Sequence, residues 1–247
     1  VHILCVSGLH VGIIYLVLIR IMGIFRRIPF YRIIMAILLP GIIFAYAAIT
    51  GFSVSVMRAS VMFAIMILTR VLGRKTHTLQ SLSLSAFVLL LYNPGYLGYT
   101  GFQLSYLAVL GIVLFQPYFA KHCRSWPGGL RQAGELMEVS LAAQMATAPV
   151  VMHAFGTFPN YFLFANLIGV PLATIVLYAA LAALSFHGIP VISLLLFRVL
   201  EFAIWMLAES MIMIQSLPGS STQGIWLTFT ELCLLYVILI ALYLLLI

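Results

Sequence analysis

Apolar runs long enough to cross a bilayer, about 20 residues each, follow one another along nearly the whole chain with short polar breaks between them. They predict an all-α protein, a polytopic integral membrane helical bundle of about eight or nine hydrophobic segments. The first run extends from Ile3 to Phe25 and the second from Ile33 to Ile49, where Pro40 predicts a kink. A third helix opens after Gly51-Phe52 and ends near Arg70. A shorter run, Leu79 to Tyr92, leads into the turn Asn93-Pro94-Gly95. The fifth helix covers Gly101 to Phe119, the sixth Glu135 to Ala154 and the seventh Tyr161 to Leu184, with Phe158-Pro159-Asn160 as a turn between the last two. The stretch of about 190–216 is an amphipathic helix that either spans the membrane or lies along its surface. Leu217-Pro218-Gly219 then breaks the chain, and Trp226 to Ile247 forms a final apolar helix.

The polar positions inside these runs fall on particular faces. Ser7 and His10 share one side of the first helix, while Cys5, Gly8 and Gly12 lie nearly opposite. Gly8 and Gly12 have the spacing that lets two helix backbones approach closely in a bilayer, and Gly101 and Pro171 are expected to serve helix packing as well. Arg58 sits about 10 Å along its helix from the outer end, where an arginine is costly. It either snorkels to the headgroups, faces a polar cavity with Ser55 on the same face, or pairs with a carboxylate such as Glu201 or Glu209. Ser140, Gln144 and Thr147 form a stripe on the sixth helix, and Asn166 precedes the helix-interrupting Pro171 on the seventh. Arg198, Glu201, Trp205 and Glu209 line up on the amphipathic segment, where Arg198 and Glu201 are placed to neutralise each other.

Composition agrees with the pattern. The chain is 64% hydrophobic and 7% charged, with a mean hydropathy of +1.20; soluble domains carry about 25% charged residues. A soluble domain is therefore excluded. Asp is absent, and the net charge is +7. Arg20, near the end of the first run, with Arg26, Arg27 and Arg32 lies toward the break between the first two runs, while Arg70, Arg74 and Lys75 follow the third and Lys121, Arg124 and Arg131 the fifth. The alternate breaks near Thr50, Asn93 to Thr100 and Ala154 to Tyr161 carry no Lys or Arg. By the positive-inside rule this places the N-terminus outside and a loop of about 120–134 in the cytoplasm. Setting topology is then the first role of the cations, and contact with nucleic acid a secondary one. Cys5, Cys123 and Cys233 have no metal or redox spacing, and no disulfide is expected. A chain opening on Val in mid-pattern reads as a single transmembrane domain, 1–247, cut from a larger protein.

His2-Ile3-Leu4-Cys5-Val6-Ser7-Gly8-Leu9-His10-Val11-Gly12 resembles the opening signature of the competence domain of the ComEC family, DNA-uptake channel proteins of bacterial transformation. Ser55-x-x-Arg58-Ala59-Ser60, then Asn93-Pro94 followed by Gly101-Phe102-Gln103-Leu104-Ser105, then Asn166-Leu167 with Pro171-Leu172, match further motifs in the same order. The resemblance implies passage of single-stranded DNA through the bacterial inner membrane, fed by a periplasmic DNA receptor and drawn by a cytoplasmic ATPase translocase. Two parts of the family are expected to be missing here, an oligonucleotide-binding-fold domain and a metallo-β-lactamase-like domain. Cys5 stands where Ala or Ser is commoner in the family.

Enzyme chemistry finds little support. A Ser7–His10 nucleophile–base pair lacks an orienting group and oxyanion donors. The six histidines are scattered without ligand spacing, and no glycine-rich phosphate loop is present. No catalytic group, metal or cofactor is expected. What remains is a shared polar depth: Ser7, His10, Ser55, Arg58, Gln103, Ser105 and Asn166 all fall in the outer halves of their helices, as the lining of a path or as a hydrogen-bonded core. Tyr92, Tyr96, Tyr99, Phe102, Phe155, Phe158 and Tyr161 form an expected interfacial belt at the same end. From the residues alone the candidate classes are a channel, a secondary transporter for a small anionic solute, and a membrane scaffold anchoring other domains.

Overall fold

On the second helix, Met35, Leu39, Ile43 and Ala47 recur every four residues, and this one stripe is buried while the rest of the helix is half-buried or exposed. Such a stripe needs apolar neighbours, and the first and third helices supply them. The structure, a computed structural model, describes residues 8–25, 30–74, 77–123 and 127–246. Among them are α1 (Gly8–Ile24), α2 (Tyr31–Ile49), α3 (Val54–Val71), α4 (Thr78–Tyr92), α5 (Thr100–Cys123), α6 (Gly128–Phe155), α7 (Phe162–Ser185), α8 (Pro190–Ser216) and α9 (Phe229–Leu246). Five of these, α2, α3, α5, α7 and α8, are long and apolar enough to cross a membrane, and α1, α4 and α9 are shorter apolar helices. The protein is a multi-pass helical membrane protein. Its N-terminal signature through Ser7, with Cys5, lies outside the described residues, as do Arg26, Arg27, Lys75 and Arg124.

The chain forms two compact units, 1–113 and 114–247, whose boundary falls within α5. In the first, Val11 and Tyr15 of α1, the α2 stripe, and Val56, Ala59 and Ile67 of α3 make one buried cluster. Tyr15 stacks on Phe63, ring centroids 4.5 Å apart. α4 approaches α3 through its own four-residue stripe, Ser81, Ser85 and Leu89, whose serines let the backbones come close. The turn into α3 is tight: Gly51 and Phe52 are both left-handed, at φ 75° and 51°. Asn93 caps the 3-10 turn Pro94–Gly98 by accepting the Gly95 N–H at 2.9 Å.

In the second unit α7 and α8 form an antiparallel hairpin packed through small residues, with Ala179 and Ala183 on one helix and Ser193 and Ala203 on the other buried. Arg198, Glu201, Trp205 and Glu209 are exposed on the face of α8 opposite that seam. The expected pairing of Arg198 with Glu201 is not made; the ion pair found among the described residues is Arg131–Glu135 at 2.9 Å. That pair joins residues one turn apart near the start of α6. It lies within the stretch 120–134 and just beyond it, most of which is helical: α5 runs on to Cys123 and α6 starts at Gly128.

A further departure is a short ribbon where only a turn was expected. Thr157–Pro159 (β1) pairs antiparallel with Ser221–Gln223 (β2), with Phe158 opposite Thr222. Asn160 Nδ2 donates to the Gly219 carbonyl at 2.8 Å, and Tyr161 Oη donates to that of Pro218 at 3.2 Å. Three-residue strands carry no alternation that a periodicity reading detects. α9 begins at Phe229 rather than Trp226 because Thr228 and Glu231 form a capping box, with the Glu231 carboxylate accepting the Thr228 N–H at 2.7 Å. Trp226 instead covers Gly156, which ends α6 in the left-handed conformation at φ 63°.

A Cβ on Gly156 would lie 2.6 Å from the Trp226 ring, whereas one on Gly188 meets nothing within 4 Å. Gly156→Ala is therefore expected to destabilise the second unit by about 1–3 kcal/mol, from strain at positive φ and overpacking. Gly188→Ala should change the thermal midpoint in detergent little; equal effects of the two would contradict this packing.

Candidate functional site

Arg58 lies one turn into α3 and is only 7% exposed, so it does not snorkel. Its neighbours follow from helix geometry. Ser55, three residues earlier, shares its face, and Met62, four residues later, lies on the same side. α5 brings Ser105 and Tyr106 against that face. Arg58 Nε donates to Ser105 Oγ at 2.5 Å, and Ser55 Oγ is 3.2 Å from Ser105 Oγ. Arg58 Nη1 points to the Met62 sulfur at 3.9 Å. The guanidinium carbon stands 5.8 Å from the centroid of the Tyr106 ring, within cation–π range.

The network continues into α4. Ser85 Oγ donates to the Leu82 carbonyl at 2.7 Å, so its lone pairs are left to accept from Tyr106 Oη at 3.0 Å. Tyr106 also packs against Phe102, ring centroids 4.4 Å apart, and Phe102 against Tyr96 at 6.3 Å. Phe102 is thus a buried core residue and not a member of an exposed aromatic belt, whereas Tyr92 and Tyr99 are exposed. On the α1 side a Cβ at Gly8 would come 2.5 Å from Arg58 Nη2 and 3.5 Å from the Ala59 Cβ. A Cβ at Gly12 would meet the Phe63 ring at 3.5 Å. The small-residue edge of α1 is therefore the edge that faces the arginine.

Ser55, Arg58 and Ser105 are brought together. The other sequence candidates are disposed differently. Gln103 turns away, donating from Nε2 to the Leu97 carbonyl at 2.8 Å, where it braces the 3-10 turn. His10 is half-buried in α1 and engaged with a neighbour. Ser7 lies outside the described residues, and Asn166 is half-buried in α7 of the second unit. Gly101 does not serve close packing: it is exposed, with nothing within 4 Å of an added Cβ. Pro171 is half-buried within an unbroken α7. Sequence reasoning missed Tyr106 and Ser85. Their signals were the adjacency of Tyr106 to Ser105 and the four-residue spacing of Ser81 and Ser85.

The electrostatics are one-sided. Residues 1–113 contain no Asp or Glu, so no carboxylate of that unit can neutralise Arg58. Its described partners are the Ser105 hydroxyl, a thioether and an aromatic face, which hold the guanidinium without cancelling its charge. Among the described residues no group of three or more His, Cys, Asp or Glu could hold a metal ion.

The family model described as "Competence protein" matches residues 1–247. ComE operon protein 3 of Bacillus subtilis (strain 168) is 32% identical over 178 residues, covering 70% of this chain and 21% of that protein. A protein of Aquifex aeolicus (strain VF5), called only "Uncharacterized protein", is 27% identical over 209 residues, covering 82% of this chain and 47% of its own. The chain thus spans less than half the length of either relative. No solved structure matches it.

The hydrogen-bond geometry predicts a graded response to small deletions. Ser105→Ala removes the acceptor of a charged donor and should cost about 1.5–3 kcal/mol. Tyr106→Phe keeps the ring under the guanidinium and should cost only about 0.6 kcal/mol, the average for a hydrogen bond within a membrane bundle. Thermal unfolding of the two variants in detergent checks the order; a larger loss for Tyr106→Phe would reverse the assigned hierarchy.

Proposed function

The chain belongs to the competence protein family, and on that premise we propose that it forms the membrane passage by which single-stranded DNA enters the cytoplasm during natural transformation. The observation that carries the proposal is Arg58, a cation buried in the bundle and held by uncharged partners in a unit that lacks any acid. An ion pair would quench its field; hydroxyls and a π face leave it able to attract a phosphate in a medium of low dielectric. One such contact, rather than a cage of them, suits passage, because a strand must leave each site as readily as it enters.

In this reading Arg58 touches successive phosphates, Ser55 and Ser105 orient it, and Gln103 braces the turn that leads into α5. The activity is transport without covalent chemistry. The protein lies in the inner membrane with its N-terminus outside, because the ends of α1 and α3 and the start of α2 carry Arg20, Arg70 and Arg32 and so belong to the cytoplasmic side. A periplasmic DNA receptor upstream and a cytoplasmic ATPase downstream complete the route.

The test is DNA uptake by the full-length parent carrying Arg58→Gln, with its membrane level confirmed. Uptake should fall about tenfold or more, the equivalent of one lost charge-assisted hydrogen bond. Arg58→Lys should be intermediate, since an ammonium keeps the charge but cannot reproduce the planar contacts with Ser105 and Tyr106. Undiminished uptake by Arg58→Gln at a normal protein level would leave Arg58 as a packing element and remove the basis of the proposal.

A further inference from the structure

Where α1 finishes, α2 begins and α3 finishes, a cavity of about 140 Å³ opens between the three helices. Its lining is Ile19, Tyr31, Arg32, Met35, Arg70 and Val71. We infer that this cavity binds the phosphate headgroup of an anionic phospholipid at the membrane edge. The inference is independent of any passage of DNA.

Charge comes first. Arg32 and Arg70 are both exposed and line one small space, so two positive charges border it. No acid exists in residues 1–113 to stand between them, and neither forms an ion pair with another described residue. An anion seated in the cavity meets two guanidinium groups, whose fork geometry matches phosphate oxygens.

The start of α2 adds a second attraction. Its cap residue, Phe30, is left-handed at φ 66° and offers no side-chain hydrogen bond to the first turn. The Phe30 carbonyl takes the N–H groups of Ile33 and Ile34, and the positive end of the α2 dipole lies at Tyr31 and Arg32, two of the lining residues.

The rest of the lining decides between sources of phosphate. Ile19, Met35 and Val71 are apolar and continue into the buried cluster of α1, α2 and α3, so the cavity has one charged wall and one greasy wall. It lies at the ends of membrane-crossing helices, on the side that the positive-inside rule gives to the cytoplasmic leaflet, where anionic lipids concentrate. Tyr31 is the kind of residue that anchors at headgroup depth. A lipid, anionic at the head and apolar below it, satisfies both walls; a nucleic-acid strand or free phosphate satisfies only one.

The test is native mass spectrometry of the delipidated full-length protein, titrated with phosphatidylglycerol and, separately, phosphatidylcholine. The wild type should retain phosphatidylglycerol preferentially. Arg32→Gln and Arg70→Gln should each weaken that binding about fivefold, and the double variant should lose the preference. Arg20→Gln, a cation of the same end outside the cavity, should leave it unchanged. Arg32→Lys/Arg70→Lys, which keeps charge and bulk, should stay within about fivefold of wild type and decides the matter if the Gln pair fails to fold. Unaltered phosphatidylglycerol preference in the double Gln variant would overturn the inference. So would an equal loss in Arg20→Gln, or displacement of the lipid through these two arginines by a short oligodeoxythymidylate or by inorganic phosphate.

Discussion

A guanidinium within a membrane helix is costly to bury, and in this protein Arg58 offsets that cost with the Ser105 hydroxyl, a sulfur and a tyrosine face instead of a carboxylate. Much of the first unit is arranged around that solution. Gly8 leaves α1 room to lie over the guanidinium, Ser105 sets how α5 meets α3, and Ser85 ties Tyr106 to α4. α1 and α5 therefore meet α3 at one side chain, and α4 joins them through Tyr106. The apolar cluster of α1, α2 and α3 closes the same bundle from the other side of α3.

The charges are divided along the chain. The cations of residues 1–113, from Arg20 to Lys75, have no acidic counterpart there, and all five glutamates, from Glu135 to Glu231, come later. In a bilayer such a separation persists only if the cations sit at the water-facing ends or are wrapped in polar groups. Arg20, Arg32 and Arg70 take the first course and Arg58 the second. A unit built this way presents an unbalanced positive field. The second unit is held by different means: small residues between α7 and α8, and a ribbon that fastens the connection before α7 to the one before α9.

The long apolar runs were enough to predict helices, a membrane location and nearly every helix to within a few residues, because a backbone in hydrocarbon has to satisfy its own polar groups and a helix does so locally. Where starts and stops depended on nearby side chains, a local reading also had the means: the Thr228–Glu231 box that begins α9 and the Asn93 cap are visible in the chain. The motifs around Gly8, Arg58 and Ser105 pointed to the right family and singled out three residues of the arginine network.

Three things required the tertiary structure. Whether Arg58 meets solvent, a carboxylate or hydroxyls depends on which helix packs on α3, and only the folded bundle brings Ser105, forty-seven positions away, to its Nε. The fate of Gln103 and Phe102 was decided the same way, one turned to a backbone carbonyl and the other buried beneath Tyr106. The β1–β2 ribbon joins segments more than sixty residues apart through backbone bonds that leave no trace in side-chain pattern. Membrane insertion is a property of each segment by itself and is written in local composition; the partners of a buried charge are a property of packing between segments, which composition does not encode.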